Sequence, residues 1–199
     1  MADSPHATTP PRRPRSDARR SIDAILNAAR VVLNERLDAS MEDIAATAGV
    51  SRQTVYAHFP SRDALVAALL EGASAEYAAL LDDAGLDTAP PAAAMARFLD
   101  AGWRFLDRYL LLLNAPATRL PRPDSDPHDF VPPRLERLIR RGQHTGDFDP
   151  SLSAAWLAAA ILGLQHTAVA QVATGRLTTH EATALCLEST LRLCGGDTP

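Results

Sequence analysis

Apolar residues first recur at helical spacing in Ile22, Ile25, Leu26, Ala29, Val32, Leu33 and Leu37, with Asp23, Arg30 and Glu35 on other sides. This predicts an amphipathic first helix of about five turns. Three short units follow, opened by Ser40, Ser51 and Ser61, each able to accept a hydrogen bond from the orphan amides of a helix start. Ser40 has Asp43 three residues on, a shortened relative of the capping box, and Ile44 and Ala45 supply that helix's apolar positions. Thr47-Ala48-Gly49-Val50-Ser51 then offers a residue that takes positive φ, an apolar plug and the next cap. That is the turn joining two steeply crossed helices, the signature of a helix-turn-helix.

Beyond Pro60, Leu65, Leu69, Ala73 and Leu80 predict a fourth helix from Ser61 to near Leu81. A fifth opens at Pro90 or Pro91 and carries Phe98, Leu99, Gly102, Trp103, Leu106, Tyr109, Leu110 and Leu113. Six prolines between Asn114 and Pro133 predict a surface loop. Leu135, Leu138 and Ile139 then mark a short helix whose Arg134, Arg137, Arg140 and Arg141 form a solvated basic face, ending between Gly142 and Gly146. The segment from Ser151 to Ala173 is apolar nearly all round, with Leu157, Ile161, Leu164 and Ala168 on one stripe and Trp156, Ala160, Gly163 and Thr167 on another. Both sides need cover, one from the core and one from a second subunit. Thr178 or Thr179 caps a last helix whose buried candidates are Ala182, Leu185, Cys186, Leu187, Leu191 and Leu193.

The composition agrees with an all-α chain: hydrophobic residues are 46%, aromatics only 5%, and Ala and Leu dominate. Net charge is −4, yet it is unevenly placed, since residues 1–65 hold nine Arg against eight acids and the remainder eleven against sixteen. Arg12, Arg13, Arg15, Arg19 and Arg20 face only Asp17 within a Pro-rich start, so residues 1–16 read as a disordered basic tail. Such arginines either reach a DNA minor groove or solubilise the tail. Cys186 and Cys194, eight apart in one helix, offer neither a disulfide framework nor a zinc cluster. The longest apolar run, Ala154 to Leu164, is well short of the ~20 residues of a membrane span, and no secretory signal is legible, so a cytoplasmic location is expected.

The third helix, Arg52 to Phe59, turns Val55 and Phe59 inward and leaves Arg52, Gln53, Thr54, Tyr56 and His58 outward. Arg forks to guanine O6 and N7, Gln pairs with adenine N6 and N7, and Thr meets a phosphate or a thymine methyl. The alternative is a polar, solvated helix face. The string SMEDIAATAGVSRQTVYAHFPSRDALVAALL, Ser40 to Leu70, closely resembles the DNA-binding region of TetR-family transcriptional regulators, from near Ile25 onward and over about 50 residues. The resemblance implies that Ser40, Thr54, Tyr56 and His58 grip phosphates, with Ser51 opening the recognition helix. It further implies that Arg52 and Gln53 read bases and that Arg62 meets a further phosphate. Gln53 departs from the small residue frequent at its position.

The rest of the chain resembles the family in architecture alone. The resemblance implies a helix-turn-helix domain over 17–61 and a larger effector-binding and dimerisation domain over 62–199. It also implies a homodimer through the last two helices that reads a palindromic double-stranded operator and is released by a small molecule. Polar or aromatic interruptions of apolar helices are the effector-pocket candidates: Trp103, Asp107 and Tyr109, then Trp156, Gln165 and His166. For Trp103 and Trp156 an ordinary core or interface role is the favoured alternative, while for Gln165 and His166, if buried, a pocket or an intersubunit hydrogen bond serves equally. No cofactor, membrane partner or metal is expected, since Asp124, Asp126 and His128 lack an ordered framework and His180-Glu181 lacks a second His. No nucleophile motif or phosphate cradle points to an enzyme. The alternatives are an effector-independent or activating regulator and a purely structural helical module.

Overall fold

The computed structural model describes residues 14–113 and 128–195, and of residues 14–16, 107 and 110–113 the backbone only. The expected tail up to residue 13, the stretch from Asn114 to Pro127 with Asp124 and Asp126, and the side chains of Arg15 and Asp107 lie outside the described residues. All regular structure among them is helical.

Helix α1 (Pro14–Glu35) turns Ile25, Ala28, Ala29, Val32 and Leu33 inward. It begins at Pro14 rather than Asp17, because proline's fixed φ and missing N–H suit a first helical turn. Helix α2 (Met41–Ala48) starts with a full capping box: the Ser40 hydroxyl accepts from the Asp43 amide (3.2 Å), and the Asp43 carboxylate accepts from the Ser40 amide (2.8 Å). The Ser40 amide, then its hydroxyl, then Arg36 hold Asp43 below the usual carboxylate range, so the box stays charged at neutral pH. Gly49 ends the helix at φ 68°, and the Val50 amide bonds back to the Ala45 carbonyl (3.1 Å).

Helix α3 (Arg52–His58) follows from the Ser51 cap, and α4 (Arg62–Asp83) from the Ser61 cap. Helix α5 (Pro91–Leu113) is the hub, packing against α1, α4, α6, α7 and α8. It leaves helical geometry at Tyr109 (φ −126°, ψ 16°).

Helix α6 (Val131–Thr145) takes Pro132 and Pro133 into its first turn, so the expected loop ends three residues early. Its arginines do not form one solvated face. Arg134 lies over the Phe130 ring and pairs with Asp82 of α4 (2.9 Å), and Arg141 donates to the Leu86 carbonyl (2.7 Å). Their long stems lie along apolar neighbours while the guanidiniums tie α6 to the α4–α5 turn; Arg137 and Arg140 stay exposed.

Helix α7 (Ala154–Ala173) buries Ala154, Leu157, Ala158, Ile161, Gln165 and Val169 against α6 and α8. Helix α8 (Thr179–Leu193) is held by the Thr178–Glu181 capping box and buries Ala182, Cys186, Thr190 and Leu191. Leu185, expected inside, is 49% exposed, and Trp156 on α7 is 63% exposed. By length and composition α4 and α7 pass for membrane spans, which is weak evidence, because each has a regular stripe buried in the protein core.

Candidate functional site

The base of α3 is fixed by apolar packing. Val55 and Phe59 sit in the core with Ile44, Ala45 and Leu65, and these anchors leave the other positions of a seven-residue helix facing out. Arg52, Gln53 and Tyr56 are exposed; Thr54 and His58 are half-buried. Arg52 lies over the Tyr56 ring (5.4 Å) and is paired with Glu42 of α2, which holds its fork at the exposed surface of α3. Both partners are exposed, and such surface pairs contribute little, so Arg52 gives up Glu42 for another acceptor at small cost.

Several proposed phosphate contacts have partners within the fold. The Ser40 hydroxyl caps α2, and the Ser51 hydroxyl accepts the Thr54 amide (3.1 Å) and lies 2.8 Å from the Thr54 hydroxyl. Arg62 donates to the carbonyls of Leu37 and Ala39, fastening the start of α4 under the α1–α2 turn. Any phosphate contact from Arg62 therefore uses its remaining donors.

A second site lies in the other domain. A cavity of about 350 Å³ opens between α4, α5, the start of α6 and α7. Tyr77, Phe105, Leu106, Val131, Leu162 and Val169 form its apolar wall, with Gly102, Gln165, His128, Asp129 and His166 between them. The Tyr77 and Phe105 rings stack at 4.5 Å and 6°, with His128 edge-on to both. Burial pushes the Tyr77 phenol up to about 12, so it remains a neutral donor.

Of the expected pocket residues, Gln165 and His166 line this cavity. Trp103 is buried elsewhere in the core, and Trp156 points out from α7. Tyr109 faces a separate recess between α1, α4 and α5, where its hydroxyl donates to Glu76 (2.9 Å) beside the Arg108–Glu76 pair. Burial first, then Glu76, pushes its phenol up to about 12, which keeps the donor protonated. Tyr77 and Phe105 were missed in the sequence, although each continues a regular stripe: Leu65, Leu69, Ala73, Tyr77 on α4 and Phe98, Gly102, Phe105, Tyr109 on α5.

Tyr109→Phe keeps the ring against Phe105 (5.1 Å) and deletes only the bond to Glu76. The expected outcome is a loss of about 1–3 kcal/mol in urea unfolding, the usual worth of a hydrogen bond to a charged group.

Residues 25–69 match the family model of bacterial regulatory proteins of the tetR family. The HTH-type transcriptional repressor LfrR of Mycolicibacterium smegmatis is 37% identical over 78 residues, 39% of this chain and 41% of that protein. The chain thus spans about two fifths of the length of the curated relative it matches. The crystal structure of the TetR-like transcriptional regulator LfrR from Mycobacterium smegmatis in complex with proflavine has a TM-score of 0.66 at 24% identity, covering 90% of this chain and 98% of that one. The fatty acid degradation regulator FadR from Bacillus halodurans has a TM-score of 0.74 at 19% identity, covering 88% and 95%. These likenesses show a shared fold, an N-terminal helix-turn-helix followed by a helical domain.

Proposed function

Because residues 25–69 match the family model of bacterial regulatory proteins of the tetR family, we infer a homodimeric repressor that reads a palindromic operator with α3 and leaves it when a small molecule fills the α4–α5–α7 cavity. The family and the matched relative are regulators of transcription rather than enzymes, and the reading for this chain is likewise a cytoplasmic, non-enzymatic DNA binder without a cofactor. One observation carries it. Val55 and Phe59 lock α3 into the core so that Arg52, Gln53, Thr54, Tyr56 and His58, all hydrogen-bonding side chains, crowd the remaining surface of two turns. A helix that short enters a major groove about 12 Å wide with every one of them in reach of phosphates or base edges.

Division into a reading domain that ends at residue 61 and an effector domain over 62–199 follows from the same reading. Helix α4 joins the last two: Arg62 fastens its start to the α1–α2 turn, and Tyr77, four turns on, lines the cavity. A ligand that shifts Tyr77 tilts α4 and moves the paired α3 helices off the spacing of about 34 Å that successive major grooves demand. Proflavine bound to LfrR is a precedent for a small molecule in a protein of this fold.

Dimerisation is expected through α7 and α8. Trp156 and Leu185 stand exposed on these helices, with Ala155, Ala159, Gly163, Thr167 and Ala170 leaving a small-residue surface on α7 that admits close approach. Replacing Trp156 and Leu185 with Arg and Glu is expected to shift sedimentation from dimer to monomer with the helical circular dichroism retained; an unchanged dimer places the interface elsewhere. The function itself is tested by chromatin immunoprecipitation from cells that express the chain, paired with transcript levels after its deletion. Discrete sites beside transcripts that rise on deletion are expected. Signal spread evenly along the chromosome contradicts the reading.

A further inference from the structure

We propose that the effector is a flat aromatic molecule without negative charge that donates an N–H or O–H to the Gln165 amide oxygen and accepts from the Tyr77 hydroxyl. The proposal rests on reading the α4–α5–α7 cavity as the effector site. Gln165 is only 4% exposed, on an otherwise apolar helix face, and a buried amide normally has both ends satisfied. Its Nε2 donates to the Leu99 carbonyl (3.3 Å), which fixes the amide orientation, because the flipped amide would set two carbonyl oxygens against each other. Oε1 is then left without a partner among the described residues, on a side chain that lines the cavity. Gly102 makes this arrangement possible: a Cβ there would run into the Gln165 amide. The Tyr77 hydroxyl is likewise without a hydrogen bond among the described residues, although the residue is buried and lines the same space. The cavity therefore presents one acceptor and one hydroxyl beside a stacked aromatic pair, which suits a ring bearing a donor.

Charge decides what the ligand is not. No arginine among the described residues lines the cavity, and Asp129, the one acidic side chain among those residues that does, repels an anion. The histidines His128 and His166 are the other titratable groups there besides Tyr77. Burying a carboxylate without a cation is costly, so fatty or aromatic acids are disfavoured. A volume of about 350 Å³ sits near the lower end of ordinary ligand sites and suits two or three fused rings.

The test uses the full chain at neutral pH and calorimetric titration with four probes: 2-naphthol, 2-methoxynaphthalene, 2-naphthoate and decanoate. The expected result is that 2-naphthol binds at least tenfold tighter than each of the others. Gln165→Met and Gln165→Leu should each shrink its advantage over the methyl ether to threefold or less, whereas Tyr77→Phe should weaken naphthol and ether alike; if one Gln165 variant fails to fold, the other decides. The proposal is overturned if 2-naphthoate or decanoate binds as tightly as 2-naphthol, if the advantage survives both Gln165 substitutions, or if no naphthalene probe binds. Release of bound operator is scored separately. Tight 2-naphthol binding without release upholds the ligand class and removes the effector reading; release by decanoate does the reverse.

Discussion

Replacing Arg52 and Gln53 together with alanine is expected to reduce operator binding to the level of random DNA while fold and oligomeric state survive. A bidentate contact to a base is worth about 1–3 kcal/mol. Two such residues acting in two half-sites account for roughly 4–12 kcal/mol if additive, which spans the gap of about 4–10 kcal/mol that usually separates specific from non-specific binding. Stability is spared because both side chains are exposed, and Arg52 gives up only its surface pair with Glu42 and its place over Tyr56. Arg52→Lys separates fork from charge: lysine keeps the phosphate attraction but cannot pair bidentately, so it should lose selectivity with little change in salt slope. Competition anisotropy against a scrambled duplex measures both. A double variant that still prefers its operator moves base reading to other residues.

The largest expected effect on stability comes from Phe148, just beyond the Gly146 stop of α6. Its ring is 2% exposed and lies against Gly142, where a Cβ would collide with it, while its amide donates to the Gly142 carbonyl (3.1 Å). The next amide, Asp149, bonds to the Cys194 carbonyl (2.8 Å), so this corner also fastens the end of α8. Phe148→Ala removes a buried ring from a site that backbone bonds hold open, and the expected cost is about 3–5 kcal/mol. Against a typical total of about 5–15 kcal/mol that is a large fraction of the stability. Gly142→Ala, which forces the ring aside, is expected to cost about 1–3 kcal/mol. Urea midpoints measure both; a Phe148→Ala protein that unfolds like the parent contradicts this packing.

The helices were legible where the information is local. Ser40, Gly49, Ser51 and Ser61 act through bonds to residues at most five positions away, so their spacing announces the helix-turn-helix before any packing is known. The cavity was less legible because its wall comes from four separate elements. Gln165 and His166 stood out as polar breaks in an apolar helix, but Tyr77 and Phe105 look in sequence like ordinary members of a core stripe. Only the approach of α4 to α5 makes them a stacked pair facing a void. Tyr109 drew notice as a polar aromatic, and the kink at its own position turns it toward Glu76 instead. Arg134 and Arg141 show the same limit: their periodicity described a basic face, whereas acceptors on distant turns decide where the guanidiniums go.

The most direct measurement is selection of bound sequences by the purified full chain from a pool of random duplexes at near-physiological salt, where purely electrostatic binding is weakened. The account predicts enrichment of an inverted repeat with half-site centres about one helical turn, ~34 Å, apart, and loss of that motif with Arg52→Ala, Gln53→Ala. A folded protein that enriches no motif at any salt, or a single unrepeated site bound by a monomer, would contradict it.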